Sequence, residues 1–401
     1  MNKQIILTML LLFQYSIMAY AQNTIHFETK EWDEILQLSE NEGKLIYFGI
    51  TTKWSQPCQN FVENVYKDKK VSEYFNEEFI NVNRDLEDQL SKEFVSRYSI
   101  RSFPAHLFFN EKGQLIHLMK GAMPPNVFLS RCKKVEDPSY QYYTIKNKIR
   151  SEEEVTFEEY LNYCSSTFEL GVKDEKACEE FIKLLDEDKL ADPKVMDVVC
   201  HTLYHSNVRD QAFTFFVEHH DKLLSHIQTK NLENIYTQLV KNTLSKNLEE
   251  KNPVVFEKEM YVLKQYLPNH FSVKAAFIYE PKFYLSIGDH QKAFYRIKDN
   301  FEAAKKIKDH KVMSHCNDWA WMIYTTSENP SYLNNALSWV EYGISEDHNT
   351  LDMMDTQAHL YYKLGMFEKA EKVAIEVKNA YDKKGVDSKK MTDLLQQIKL
   401  N

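Results

Sequence analysis

The sequence predicts two structural classes in succession: an α/β domain over residues 22–137, then an all-α helical-repeat region running to residue 401. Three observations carry this. Apolar runs of strand length at Lys44–Ile50, Phe79–Asn83 and Ile100–Phe109 alternate with stretches of helical periodicity. Beyond residue 138 only helical patterns remain. Nine glycines and ten prolines in 401 residues leave little room for an all-β or disordered remainder, while 24 Tyr and 24 Phe supply ample core. The length itself suggests two or three domains.

The first residues stand apart. Lys3, the apolar stretch Ile5–Ile17 and Ala19-Tyr20-Ala21 have the three parts of a secretory signal peptide, so residues 1–21 are expected to be removed and the mature chain to start at Gln22. A membrane anchor is the alternative, but the apolar stretch is short and the small-residue site well placed. No later apolar run is long enough to span a bilayer. The expected location is the periplasm or the exterior.

In the α/β part, Lys44–Ile50 is a strand and Thr51–Lys53 a turn. A helix then begins near Ser55, with Pro57 in its first turn, where a missing N–H costs little. Phe79–Asn83 is a second strand. Residues 86–97 suit a helix, with Leu90, Phe94 and Tyr98 at four-residue spacing. Ile100–Phe109 is a strand interrupted by Pro104, which cannot donate to a sheet ladder and requires a special local geometry. Asn110-Glu-Lys-Gly113 turns the chain into Gln114–Met119, and Pro124-Pro125 opens a last helix ending near Val135.

With these residues in view, residues 25–135 resemble the thioredoxin superfamily, especially its bacterial envelope members with a tryptophan-cysteine-x-x-cysteine motif. The resemblance rests on Trp54-Ser55-Gln56-Pro57-Cys58, the acidic strand end Asn83–Asp85 and the pair Phe103-Pro104. It implies a cis Phe103–Pro104 bond beside Cys58, and a Phe103 backbone free to hydrogen-bond an extended client peptide by strand addition. One position departs from the pattern: Ser55 stands where the attacking cysteine would be. A helix N-terminus activates a thiolate through its dipole and unpaired N–H groups, and thiol–disulfide exchange proceeds by thiolate attack. A hydroxyl, protonated near neutrality, offers no such anion. Cys58 corresponds to the second, resolving cysteine, which in the family is the more buried of the two. Acting alone it would stall as a mixed disulfide.

The helical part contains a weak internal repeat. Tyr284–Gly288 followed by Ala293 matches Tyr361–Gly365 followed by Ala370, and Ala336 lies 34 residues before Ala370. Glycine would end one helix and a small alanine let the next approach closely. Thr356–Asn379 resembles a tetratricopeptide unit, and the tetratricopeptide-like region is set at residues 276–401, an ordinary helical array being the alternative. Residues 138–275 read as helical without a signature. Ser151–Glu154 fits an N-terminal capping box, and Asp192-Pro193 and Asn252-Pro253 start further helices. Stacked hairpins of this kind can offer a concave face to a partner.

Six cysteines in an exported chain raise the question of disulfides. The pair with a geometric case is Cys164 and Cys178, at similar heights on predicted helices 156–168 and 174–187; two separate buried thiols are the alternative. The formal net charge of −9, or −10 once Lys3 is removed with the signal, argues against a nucleic-acid partner. Asp197, His201 and His205 share one helical face, but two histidines without a catalytic glutamate make a weak metal motif. Neither metal nor cofactor is expected.

The function these residues imply is binding of an exported polypeptide client or partner in a groove formed by Trp54, Ser55, Gln56, Pro57, Phe103 and Pro104, aided by the helical surface. The enzymatic alternative is a thiol–disulfide oxidoreductase or isomerase-like protein using Cys58 as a lone thiol. A third reading is a scaffold whose groove is filled by its own helical region.

Overall fold

The structure, a computed structural model, describes residues 24–307, 310–346 and 351–400. The expected signal peptide, residues 1–21, lies outside the described residues. The chain divides into two compact units, Met1–Thr202 and Leu203–Asn401, a boundary that falls inside the stretch 138–275 read above as one helical region.

The first unit is built on a four-stranded sheet in the order β2-β1-β3-β4. Helix α1 (Trp32–Glu42) ends at Gly43, whose φ of 64° favours a residue without a Cβ. Strand β1 (Leu45–Thr51) follows. The motif helix α2 (Gln56–Asn64) comes next, and α3 (Lys69–Glu78) is capped by the Asp68 carboxylate accepting from the Lys70 and Val71 amides. Strand β2 (Phe79–Asp85) pairs parallel with β1. After α4 (Gln89–Arg97), strands β3 (Ala105–Phe109) and β4 (Leu115–Lys120) form the expected hairpin, antiparallel to each other, with β3 antiparallel to β1. Helix α5 (Pro125–Lys134) closes this part.

β1 lies centrally, so its residues from Ile46 onward are all buried, and a continuous apolar run rather than an alternating one is what such a strand requires. The aromatic core beneath it, Tyr47, Phe61, Tyr66, Phe75, Phe108 and Phe128, is held by edge-on and stacked ring contacts.

The unit does not stop at residue 137. Helices α6 (Tyr142–Arg150) and α7 (Phe157–Leu170) pack on β4. The Tyr142 amide donates to His117 Nδ1 at 3.2 Å, and Lys120 Nζ donates to the Leu170 carbonyl at 2.5 Å. These helices cover an edge strand that would otherwise expose unpaired backbone. Two local expectations need correction here. The capping box is Thr156 with Glu159, not Ser151 with Glu154, because Glu159 reaches back to the Thr156 amide while residues 153–156 stay non-helical. Helix α8 (Glu175–Lys183) is shorter than 174–187, a separate 3-10 turn following at Glu187–Ala191. Helix α9 (Pro193–His205) does start at Pro193.

The second unit is helical throughout its described residues. Helices α10 (Gln211–Glu218), α11 (His220–His226), α12 (Thr229–Glu250) and α13 (Pro253–Tyr266) lead into α14 (Asn269–Ser286), α15 (His290–Ile307), α16 (His310–Thr326), α17 (Pro330–Ser345), α18 (Leu351–Lys363), α19 (Phe367–Lys384) and α20 (Lys389–Lys399). α14 packs with α15, α16 with α17 and α18 with α19. Gly288 and Gly365 adopt φ of 79° and 74° at the turns, and Ala293, Ala336 and Ala370 are fully buried. No described helix is long and apolar enough to cross a membrane.

Candidate functional site

The site forms where β1 ends. The antiparallel register Ile50↔Ala105 brings Pro104 level with the end of β1, and the Phe103–Pro104 bond is cis, as the resemblance implies. From Thr51 the chain turns through Thr52–Trp54 into Ser55, the N-cap of α2, whose backbone is extended at φ −93° and ψ 115°. The Ser55 side chain makes no capping bond, so its hydroxyl is uncommitted at a helix N-terminus. Trp54 is 74% exposed, Gln56 and Pro57 are exposed, and Cys58 is 1% exposed. Among the described residues, neither the amide nor the carbonyl of Phe103 has a hydrogen-bond partner. Apolar contact at Trp54 and free backbone at Phe103 are therefore both available to an extended chain.

Beneath the motif runs a buried polar chain that single elements of the sequence do not reveal. His106, fully buried two residues after Pro104, lies with Nε2 3.3 Å from the Gly121 carbonyl and Nδ1 2.9 Å from the Tyr47 hydroxyl. Tyr47 and Tyr66 hydroxyls are 2.8 Å apart; Tyr66 is 3.1 Å from Asn83 Oδ1, and Asn83 Nδ2 is 3.3 Å from Thr51 Oγ1. A proton count orients it. Burial pushes His106 down to about 3, so the ring is neutral. Because a carbonyl only accepts, Nε2 carries the proton and Nδ1 accepts from Tyr47. Tyr66 then donates to Tyr47, and a half-turn of the Asn83 amide lets its NH2 donate to Tyr66 while Thr51 donates to its oxygen. Every contact then holds one proton. The chain runs in one direction from Thr51 to Gly121 and fixes the floor of the site.

The relay needs Gly49. A Cβ there would stand 2.5 Å from the Tyr66 hydroxyl, 2.7 Å from Asn83 Oδ1 and 3.0 Å from the Tyr47 hydroxyl.

The sequence grouped Trp54–Cys58 with Phe103-Pro104, and the fold brings these segments to the same end of the sheet. It did not mark Tyr47, Tyr66 or Thr52. The available signal for His106 was its place two residues beyond Pro104 on a buried strand.

Cys164 and Cys178, on α7 and α8, are both buried free thiols in hydrogen-bond contact; that contact first, then burial, raises Cys164, and the same contact lowers Cys178. His201 lies flat on Phe168, ring centroids 3.5 Å apart.

A parallel β1–β2 pair, an antiparallel β3–β4 hairpin, a motif helix at the end of β1 and a cis-proline ahead of β3 define a particular α/β class. Its family is then identified by comparison: the sequence model of the thioredoxin-like domain matches residues 32–136. This part of the chain is a thioredoxin-like domain. Among solved structures, a putative disulphide-isomerase from Bacteroides thetaiotaomicron is 29% identical, covering 29% of this chain and 96% of that one with a TM-score of 0.27. A thioredoxin from Thermus thermophilus is 19% identical, with 28% and 88% covered and a TM-score of 0.26. A poplar thioredoxin h is 22% identical, with 28% and 97% covered and a TM-score of 0.23. The comparison with curated proteins found no match.

Proposed function

We propose that this chain is an exported thioredoxin-fold protein that binds an extended polypeptide, client or partner, and does not catalyse disulfide exchange. The observation that carries the reading is the pairing of Trp54, three-quarters exposed, with an unbonded Phe103 backbone, beside a helix N-terminus that presents a hydroxyl. Trp54 supplies apolar contact, Phe103 the strand-like hydrogen bonds and Ser55 a polar lining. The tetratricopeptide-like hairpins at 276–401 provide a second surface for the same polypeptide.

Reduced, carboxymethylated α-lactalbumin is a suitable unfolded probe. Calorimetric titration is expected to show binding that weakens about thirtyfold in Trp54→Ala, the loss of one aromatic hot spot. Absence of binding, or equal affinity in the variant, would refute the groove.

Export has a covalent counterpart. Protein recovered from the extracytoplasmic fraction is expected to begin at Gln22 and to carry Cys164 joined to Cys178, since facing thiols in an oxidising compartment form a bridge. An unprocessed N-terminus, with both cysteines alkylatable after denaturation without reductant, is the contrary outcome.

A second reading, exchange by Cys58 as a lone thiol, gains support from the crevice that reaches its side chain. It requires insulin reduction that disappears in Cys58→Ser.

A further inference from the structure

Cys58 is closed to bulk solvent but lines a crevice of about 460 Å³, within the size range of small-ligand sites. The crevice lies at the carboxyl ends of the parallel strands β1 and β2, which the Leu86 amide ties together by donating to the Thr51 carbonyl at 2.8 Å. Thr51, Thr52 and Lys53 line it from β1 and its turn, Asn83 and Asp85 from β2, and Cys58 from α2. None of Trp54, Ser55, Phe103 and Pro104 does.

Three features of this crevice point to a ligand. Thr52 is 3% exposed and its hydroxyl has no hydrogen-bond partner, which is costly unless something else supplies one. Lys53 makes no ion pair among the described residues. Asp85 makes none either; its carboxylate accepts only from the nearby Glu87 amide, at 3.0 Å. The one other charged lining residue, Glu63, is paired with Lys67 at 2.5 Å. A cation and an anion that make no ion pair among the described residues line one crevice together with a thiol, and match a zwitterion that contains sulfur.

We infer that the crevice binds a low-molecular-weight amino-acid disulfide of the cystine class, and that Cys58 is thiolated there. The ligand's carboxylate meets Lys53, its ammonium meets Asp85, and the Thr52 hydroxyl gains a partner. The Cys58 thiol gives up its proton, and the thiolate sulfur attacks one sulfur of the ligand disulfide. That S–S bond breaks as the bond to Cys58 forms, and the departing half leaves as a thiolate that takes up the proton. One disulfide is consumed and one formed, so the ligand is the only oxidant. With oxygen rather than sulfur at Ser55 no neighbouring thiol displaces the adduct, and it persists until an external thiol arrives. The inference stands apart from polypeptide binding in the groove, which uses other residues.

The test is incubation of the full chain with cystine or with uncharged 2-hydroxyethyl disulfide, without other reductant, followed by peptide mass mapping over time. Cystine is expected to add one half-cystine to Cys58 about tenfold faster than the uncharged probe reacts. Lys53→Ala, Asp85→Asn and Thr52→Val should each slow the cystine reaction, the two charge changes about tenfold, and leave the uncharged probe unaffected. Lys53 is exposed and Thr52→Val keeps shape, so the folded variants remain comparable. Absence of a Cys58 adduct, reaction at other cysteines instead, or equal rates for both probes and all variants would overturn the inference.

Discussion

Replacing Ser55 by cysteine is expected to produce a protein that reduces insulin with dithiothreitol as the terminal reductant. The substitution exchanges one atom type at the N-cap of α2, where an uncapped helix N-terminus is available to hold an anion. The new thiolate would attack a client disulfide to form a mixed disulfide, and the Cys58 thiol, three residues on, would displace the reduced client. Dithiothreitol then reduces the resulting bridge between positions 55 and 58. Restoring a missing nucleophile to an otherwise assembled site is worth on the order of 10³-fold or more in rate. The remaining parts are present: the exposed Trp54 and the buried second cysteine. A folded Ser55→Cys variant without reductase activity would mean that the groove, and not the atom at position 55, has been rebuilt.

The largest stability effect is expected from Gly49→Ala. Its Cβ would be driven within 2.5 Å of the Tyr66 hydroxyl and 2.7 Å of Asn83 Oδ1, both members of the buried relay. Neither can yield cheaply. Tyr66 is a rigid ring packed against Phe61 and Tyr47, and moving Asn83 breaks the bond that joins the relay to Thr51. Overpacking together with a broken buried hydrogen bond destabilises by about 3 kcal/mol, a Tm lowered by roughly 10 °C for a unit of this size. Gly43→Ala is the comparison. Its Cβ meets nothing within 4 Å, so only the left-handed φ of 64° is penalised, at about 1 kcal/mol. Thermal unfolding of the two variants measures the difference; equal Tm values would show that the relay tolerates displacement.

The strands of the first unit were legible because they are apolar runs of the right length with breaks marked by Pro104 and Gly113, whereas helices α1 and α3, bounded by Gly43 and Asp68, were not read. The motif was legible because Trp54–Cys58 is contiguous. The relay was not, since Tyr47, Tyr66, Asn83 and His106 lie on four separate segments and meet only through the sheet register. Thr52 gave no signal either: one threonine in a turn is ordinary until its hydroxyl is found buried and unpartnered. The capping box was misplaced because Ser151–Glu154 and Thr156–Glu159 both fit the local pattern, and the second prevails once Lys148 pairs with Glu159 at 2.6 Å. In the second unit the Gly288–Ala293 and Gly365–Ala370 spacings read correctly as turn and close-packing positions, because both rest on backbone geometry that a single residue type dictates.

The central claim is that a hydroxyl at the head of α2 leaves this groove able to hold a polypeptide but unable to exchange its disulfides. Insulin reduction by the unmodified chain tests it most directly. The rate with dithiothreitol is expected to equal that of dithiothreitol alone, in the wild type and in Cys58→Ser alike. Sustained turnover by the wild type, lost in Cys58→Ser, would contradict the claim and make this domain a working oxidoreductase.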